Sequence, residues 1–119
     1  MKILVVDDSA TMRRIIENNL KAAGYDDIVQ ASNGVEALSN MGGVKLVLTD
    51  WNMPVMDGLT LVKEIRSNPA FASVPIIMVT TEGAKGEVIE ALKHGVNDYI
   101  VKPFTKKTLV DKVLEVMDN

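Results

Sequence analysis

The stretch Lys2–Ile3–Leu4–Val5–Val6–Asp7–Asp8–Ser9 decides the fold class. Its apolar part, Ile3–Val6, is continuous rather than alternating, which is typical of a strand buried on both faces of a parallel sheet. Two acids end this run, and Asp8 or Ser9 can cap a following helix. Similar apolar runs recur four more times along the chain, at Ile28–Ala31, Leu46–Leu48, Ile76–Val79 and Tyr99–Val101.

Helical periodicity fills the intervals between these strands. Alternating strands and helices predict an α/β fold with right-handed crossovers. The common order for five strands is 2-1-3-4-5, in a doubly wound parallel sheet with five helices on both faces. The first expected helix carries Met12, Ile15, Ile16 and Leu20 and ends at Gly24, and the second carries Val35 and Leu38, begins at a cap on Ser32 or Asn33 and ends near Gly42–Gly43. The third carries Leu61, Val62 and Ile65 between Asp57 and Pro69. The fourth carries Val88, Ile89 and Leu92 before Gly95, and the fifth carries Leu109, Val113, Val116 and Met117 after Thr105.

Length and composition exclude several classes of function. The 119 residues suit one domain spanning 1–119. The absence of cysteine excludes a zinc–thiolate site, and a single histidine excludes a histidine metal cluster. The net charge of −3 argues against a basic nucleic-acid surface. The apolar N-terminal run is too short for a signal peptide, and no apolar window approaches the length of a membrane span. We expect a cytoplasmic protein without a membrane or nucleic-acid partner.

Polar side chains follow four of the five strands. In an open α/β sheet, ligands bind beyond the carboxyl ends of the strands, near the point where the strand order reverses. Asp7, Asp8 and Asp50 should meet there, with Thr80 and Lys102 beside them. Two unit charges 4 Å apart interact by about 4 kcal/mol at an effective dielectric near 20, so the carboxylates need partners. Lys102 is one, and Mg²⁺, which prefers oxygen ligands, is the other.

A carboxylate beside Mg²⁺ and a lysine can act as a nucleophile and form an acyl phosphate. Two other classes remain open at this point. A Mg²⁺-dependent aspartyl-nucleophile phosphatase typically carries an Asp-x-Asp arrangement after the first strand, whereas Asp7 and Asp8 are adjacent. A flavin mononucleotide carrier needs a hydroxyl- and glycine-rich phosphate loop at that position, where two acids would repel the phosphate.

Along its full length the chain resembles the receiver domains of two-component response regulators, which have the flavodoxin-like strand order. Its similarity is greatest to the single-domain members that act in chemotaxis. The motifs that carry the resemblance are Val6–Asp7–Asp8–Ser9, Asp50–Trp51–Asn52–Met53–Pro54, Asp57–Gly58, Thr80, and Tyr99–Ile100–Val101–Lys102–Pro103–Phe104.

The resemblance implies a role for each site residue. Asp50 would be the phosphoacceptor. Asp8, Asp50 and the backbone carbonyl of Asn52 would bind Mg²⁺ directly, and Asp7 would act largely through water. Lys102 would contact the phosphoryl group, with a cis peptide bond before Pro103.

The resemblance also implies a switch. Thr80 would move toward the phosphoryl group and Tyr99 would swing inward, changing an output surface of helix 4, strand 5 and helix 5 that includes Tyr99 and Lys112. Backbone groups of Asn52 and Thr81 would contact the phosphoryl group, although Thr81 stands where a smaller residue is common. The side chains of Asn52 and Glu82 would tune the phosphoryl lifetime.

The implied partners of the monomeric chain are a sensor histidine kinase, a flagellar motor switch protein and a phosphatase. The alternative is a single-domain regulator, or phosphate sink, of a two-component pathway outside chemotaxis. Gly83 and Gly86 should loosen the start of helix 4. Trp51 is interpreted as a surface aromatic, and Arg13–Arg14 as part of a solvated helix face.

Overall fold

The computed structural model describes residues 1–118, and within them five strands alternate with five helices. All ten elements lie where the apolar pattern predicts them, although several begin or end a few residues from the expected position. Their bounds are β1 Lys2–Val6, α1 Ala10–Ala22, β2 Asp27–Ala31, α2 Gly34–Ser39, β3 Val44–Thr49, α3 Gly58–Ser67, β4 Ile76–Thr80, α4 Lys85–Lys93, β5 Asp98–Val101 and α5 Lys106–Met117.

The strands form one parallel sheet in the order β2-β1-β3-β4-β5, which confirms the predicted topology. The register places Val6 of β1 opposite Ala31 of β2 on one side and Thr49 of β3 on the other. These three strands therefore end level with one another. Asp7 and Asp50, the residues that follow β1 and β3, come side by side at the carboxyl edge of the sheet.

The sheet buries both of its faces, as the continuous apolar runs predict. Alternate β1 residues point to opposite sides: Leu4 and Val6 to one core cluster, Ile3 and Val5 to the other. Helices α2, α3 and α4 cover the first cluster, and α1 and α5 cover the second. Their buried contributions are Ala37, Leu61, Val62, Ile65 and Ala91 on the first side, and Ile16, Leu20, Leu109 and Val113 on the second.

Four helices begin at a side chain that accepts a hydrogen bond from the first turn, as the sequence predicts. Of the alternatives, Ser9 rather than Asp8 caps α1, and Asn33 rather than Ser32 caps α2. Asp57 caps α3 and Thr105 caps α5. Helix α4 differs, because it follows Ala84 and has no side-chain cap.

Several apolar residues at helical spacing lie on the surface instead of in the core. Ile15 is 43% exposed, since its neighbour Ile16 occupies the buried stripe of α1. Ile89 and Leu92 are 42% and 47% exposed, because α4 buries only the small side chain of Ala91 against the sheet. The apolar face of α4 is therefore largely a surface feature. No helix within residues 1–118 has the length and apolar character needed to cross a membrane.

Candidate phosphoryl and metal site

The ammonium group of Lys102 joins two carboxylates at the carboxyl edge of the sheet. Its Nζ lies 2.7 Å from Asp7 Oδ2 and 3.2 Å from Asp50 Oδ2. The side chains of all three residues are largely buried, with exposed fractions of 2% for Asp7 and 11% for each of the others. The peptide bond between Lys102 and Pro103 is cis, as the resemblance implies. The structure thus brings together three residues that are more than 40 positions apart in sequence.

These contacts determine the charge of Lys102. Burial alone would lower its pKa, but the hydrogen bonds and negative charges of Asp7 and Asp50 outweigh burial and raise the pKa above its ordinary value. The lysine therefore remains an ammonium at neutral pH. A fixed positive charge beside Asp50 is what a developing or transferred phosphoryl group requires.

Asp8 completes a cluster of three carboxylates. Asp7, Asp8 and Asp50 each offer one oxygen, and these oxygens all lie within 4.8 Å of one another. Asp7 and Asp50 are buried, whereas Asp8 is exposed and faces an open cleft of about 390 Å³ that Asn52 and Asp57 also line. Oxygen donors of this kind suit a hard divalent cation such as Mg²⁺. Three carboxylates and a single ammonium leave the site with a net negative charge, which a divalent cation would neutralise.

Hydrogen bonds to Val6 and Thr49 fix the backbone of Asp50. Its N–H donates to the carbonyl of Val6 over 2.9 Å, and its carbonyl accepts from the hydroxyl of Thr49 over 2.9 Å. Gly58 packs so tightly against this carbonyl that a Cβ atom at position 58 would lie 1.9 Å from the oxygen. The motif Asp57–Gly58 was visible in the sequence, but this close approach of two backbones was not.

Trp51 is less exposed than its interpretation as a surface aromatic suggests. Its side chain is half-buried and packs against the core cluster that α2 and α3 cover. Its backbone N–H donates to Asp50 Oδ1 over 2.7 Å, which orients the carboxylate. A partly buried indole adjoining Asp50 makes the fluorescence of Trp51 a suitable reporter of changes at the site.

Glu82 links the predicted switch and lifetime residues. Its carboxylate accepts from Asn52 Nδ2 over 2.8 Å, and its carbonyl accepts from the Tyr99 hydroxyl. Its N–H donates to the hydroxyl of Thr80, which is fully buried, over 3.3 Å. Thr81, the residue between them, is exposed. The structure therefore brings Asn52, Thr80 and Tyr99 together around one residue of the β4–α4 loop.

Tyr99 and Lys112 lie on the face formed by α4, β5 and α5. Burial, reinforced by the negative charges of Glu82, Glu87 and Asp50, raises the pKa of Tyr99 to about 12. Tyr99 is therefore a neutral hydrogen-bond donor at physiological pH. Lys112 of α5 pairs with Asp98 of β5, with Nζ 3.2 Å from Oδ1.

Arg13 differs from the solvated arginine that the sequence predicts. Its Nη1 donates to the backbone carbonyl of Asp7 over 2.6 Å, and its Nε donates to Gln30 Oε1 over 2.9 Å. Arg14, its neighbour on α1, is exposed as predicted. The helical pattern carries no signal that separates the two arginines, because the side-chain direction depends on where β2 passes.

Residues 3–114 match the response regulator receiver domain family, and the chain belongs to that family. It is a phosphorylation-activated response regulator of two-component signalling, that is, a phosphoacceptor rather than a classical enzyme. Its curated relatives include the chemotaxis protein CheY1 of Helicobacter pylori, which is 58% identical in a match that spans 98% of this chain and 96% of the relative. A chemotaxis protein CheY homolog of Campylobacter jejuni is also 58% identical, covering 98% of this chain and 92% of the relative.

Solved structures agree with the fold. The chemotaxis protein CheY4 of Vibrio cholerae has a TM-score of 0.90 at 35% identity, covering 97% of both chains. The receiver domain of the sensor histidine kinase PA1611 of Pseudomonas aeruginosa has a TM-score of 0.88 at 29% identity, covering 99% of this chain and 98% of the other. That structure contains a magnesium ion coordinated in its active site cleft.

Proposed function

We propose that this chain is a chemotaxis response regulator that accepts a phosphoryl group on Asp50 and changes its α4–β5–α5 surface in response. The observation that carries the proposal is the position of the Asp50 carboxylate, beside the Lys102 ammonium and within a cluster of three carboxylates. The whole chain, residues 1–119, acts as a single receiver domain.

The proposed reaction is a phosphoryl transfer. A carboxylate oxygen of Asp50 forms a bond to phosphorus while the bond from phosphorus to a histidine nitrogen of the kinase breaks, and that nitrogen takes up a proton. The product on this chain is an acyl phosphate. Lys102 balances the charge of the phosphoryl oxygens, and backbone N–H groups at Asn52 and Thr81 would bind them.

Mg²⁺ is the proposed cofactor. It would be held directly by Asp8, Asp50 and the backbone carbonyl of Asn52, with Asp7 acting largely through water. When bound, it supplies charge neutralisation for the transferred phosphoryl group. The donor set of three carboxylates supports this assignment, and so does the magnesium ion in the cleft of the PA1611 receiver domain.

Thr80 and Tyr99 form the proposed switch. Thr80 would turn its hydroxyl toward the phosphoryl group and give up the N–H of Glu82. Since the Tyr99 hydroxyl donates a hydrogen bond to the carbonyl of Glu82, movement at Thr80 would bias the position of Tyr99. Exposed apolar side chains on α4 and β5, among them Ile89 and Val101, give the output surface an apolar area that a partner can bury.

The proposed setting is a chemotaxis pathway in the cytoplasm. The phosphodonor would be a CheA-like sensor histidine kinase, and the target of the monomeric, phosphorylated form would be a flagellar motor switch protein. Slow self-dephosphorylation, together with a phosphatase partner, would end the signal. The 58% identity to two chemotaxis proteins over nearly the whole chain supports this setting over other two-component pathways.

The assignment of Asp50 is tested with acetyl phosphate as a small phosphodonor. The wild-type chain should gain one phosphoryl group by mass spectrometry when Mg²⁺ is present and none when Mg²⁺ is chelated. The Asp50→Asn variant should gain none under either condition. Stoichiometric phosphorylation of Asp50→Asn would exclude Asp50, and rapid multiple-turnover hydrolysis of unrelated phosphate esters would favour the phosphatase alternative.

The assignment of the partner is tested with beryllofluoride, which mimics an acyl phosphate. The chain loaded with Mg²⁺ and beryllofluoride should retain a purified flagellar motor switch protein, and the untreated chain should not. Lys112→Met, on the output surface, should weaken this retention without changing phosphorylation. Equal retention by both forms, or none by either, would contradict the chemotaxis role and leave the pathway outside chemotaxis.

A further inference from the structure

The two acids that follow β1 are held in very different ways. Asp7 donates its N–H to the carbonyl of Ala31 over 3.1 Å, and its carboxylate accepts from Ser9 and Lys102. Asp8 is exposed, and within residues 1–118 its side chain makes no hydrogen bond or ion pair. The position of the Asp8 carboxylate relative to Asp50 therefore depends on the backbone that precedes it.

Arg13 fixes that backbone. The carbonyl of Asp7 and the N–H of Asp8 belong to one rigid peptide plane, which leads directly to the Asp8 Cα. The Arg13 guanidinium donates to this carbonyl over 2.6 Å, a charge-assisted and therefore strong hydrogen bond. A bond at this oxygen restrains rotation of the plane, and with it the direction of Asp8.

Gln30 holds the guanidinium itself in place. Its Oε1 accepts from Arg13 Nε over 2.9 Å, and Gln30 lies on β2, opposite Val5 of β1. The guanidinium thus bridges a strand of the sheet and the carbonyl of Asp7. An arginine fork can make both bonds at once, whereas a lysine ammonium lacks that planar geometry.

We propose that Arg13 is a positioning residue for the Mg²⁺ site: by clamping the Asp7–Asp8 peptide between α1 and β2, it holds Asp8 where it can share a small cation with Asp50. This inference rests on the proposed function, because it needs a cation at Asp7, Asp8 and Asp50. It assigns to Arg13 and Gln30 a part that neither the charge pattern nor the receiver motifs indicate.

The charge of Arg13 cannot account for a contribution to cation binding, since a guanidinium repels a cation. Removing only its charge should strengthen Mg²⁺ binding. A loss of affinity on substitution therefore reports geometry. Mg²⁺ demands near-ideal octahedral geometry, while Ca²⁺ accepts flexible sites, so a loosened Asp8 should weaken Mg²⁺ binding more than Ca²⁺ binding.

The test compares Arg13→Met, Arg13→Lys and the matched control Arg14→Met. Dissociation constants for Mg²⁺ and for Ca²⁺ are measured on the full chain from Trp51 fluorescence and by calorimetry, and the melting temperature is recorded without metal. Arg13→Met should raise the Mg²⁺ constant by on the order of tenfold, as substitutions around metal ligands commonly do, with a smaller change for Ca²⁺. Arg13→Lys retains the charge and loses the fork, so its Mg²⁺ constant should also rise. Arg14→Met should match the wild type.

Three results would overturn the inference. The first is a Mg²⁺ constant within about twofold of the wild type in both Arg13 variants, because the clamp would then contribute nothing. The second is an equal loss for Mg²⁺ and Ca²⁺ that follows the melting temperature, which would indicate a general structural role. The third applies if Arg13→Met does not fold: Arg13→Lys and Gln30→Ala then decide, and unchanged Mg²⁺ binding in both refutes the clamp.

Failure of the proposed function would give a different result. If the wild type does not bind Mg²⁺, or if Asp8→Asn binds it equally well, the metal site itself is wrong. Tight Mg²⁺ binding by the wild type that Asp8→Asn abolishes and the Arg13 substitutions leave unchanged would retain the site and reject only the role of Arg13.

Discussion

Lys102 lies closer to Asp7 than to Asp50: its ammonium nitrogen is 2.7 Å from the Asp7 carboxylate and 3.2 Å from that of Asp50. The resting partner of the lysine is thus the more deeply buried acid, and the proposed phosphoacceptor shares the ammonium only at longer range. An incoming phosphoryl group on Asp50 can draw Lys102 away from Asp7, whose carboxylate then keeps the hydrogen bond from the Ser9 N–H.

Replacing Lys102 with methionine should destabilise the chain and strengthen its binding of Mg²⁺. Asp7 and Asp50 would lose their shared cation, and breaking a buried pair costs about 3–5 kcal/mol, so a loss of about 2–4 kcal/mol is expected at this slightly exposed site. Urea unfolding with and without Mg²⁺ measures both effects, since the cation should restore more stability to the variant than to the wild type.

Lys112→Met is the matched control for this prediction, because it also removes a lysine from an Asp pair, but a more exposed one. Its free energy of unfolding should change by no more than about 1 kcal/mol. A Lys102→Met chain as stable as Lys112→Met, with unaltered Mg²⁺ binding, would contradict the charge balance described for the site.

Gly58→Ala should be strongly destabilising. The added methyl group would lie 1.9 Å from the Asp50 carbonyl oxygen, which the Thr49 hydroxyl and the sheet hold in place. Overpacking against a fixed backbone atom costs about 3 kcal/mol, and the resulting displacement of Asp50 should also slow phosphorylation by acetyl phosphate.

Gly86→Ala is the opposite case and serves as the comparison for Gly58→Ala. Its Cβ would meet open space in the first turn of α4, so the substitution should stabilise the chain by at most about 0.8–1 kcal/mol, the helix propensity difference between the two residues in a helix interior. Thermal unfolding of both variants checks the contrast. Equal effects at the two glycines would show that the packing around Gly58 is looser than the structure indicates.

Tyr99 should make stability fall at alkaline pH. Its pKa is raised from an ordinary value of 10 to about 12 in the folded chain, so the unfolded chain ionises first. The stabilisation is complete below pH 10 and is lost as the pH rises through 12. In Tyr99→Phe this part of the loss should be absent, and ultraviolet titration should lose its transition near pH 12. An unchanged titration curve would place the high-pKa group elsewhere.

Asn52 and Glu82 should act on the phosphoryl lifetime as a pair. Their side chains share a 2.8 Å hydrogen bond that joins the loops after β3 and β4 at the mouth of the site. The dephosphorylation rates of Asn52→Ala, Glu82→Ala and the double variant should therefore be non-additive, because the second substitution removes a bond that the first has already broken. Strictly additive changes in the logarithm of the rate would indicate two independent effects.

The sequence by itself determined the order of elements and the edge at which the site lies. Continuous runs such as Ile3–Val6 require burial on both faces, and this, with alternating helices, restricts the chain to a parallel doubly wound sheet. The carboxyl ends of parallel strands lie at one edge of such a sheet, so Asp7, Asp50 and Lys102 were expected to lie near one another. The sequence was sufficient for these features because strand burial follows from neighbouring residues and the shared edge follows from the parallel arrangement of the strands.

Only the tertiary structure decided which side chains meet. Arg13 turns to the Asp7 carbonyl while Arg14 faces solvent, and this difference depends on the path of β2. Ile89 stays exposed because α4 packs only shallowly against the sheet. The contact between Gly58 and the Asp50 carbonyl depends on the course of the intervening loop. Such contacts join residues that are distant in sequence, and they depend on side-chain directions that no periodic pattern encodes. The sequence pattern places the acids at one edge of the sheet, whereas these contacts hold their carboxylates at fixed distances.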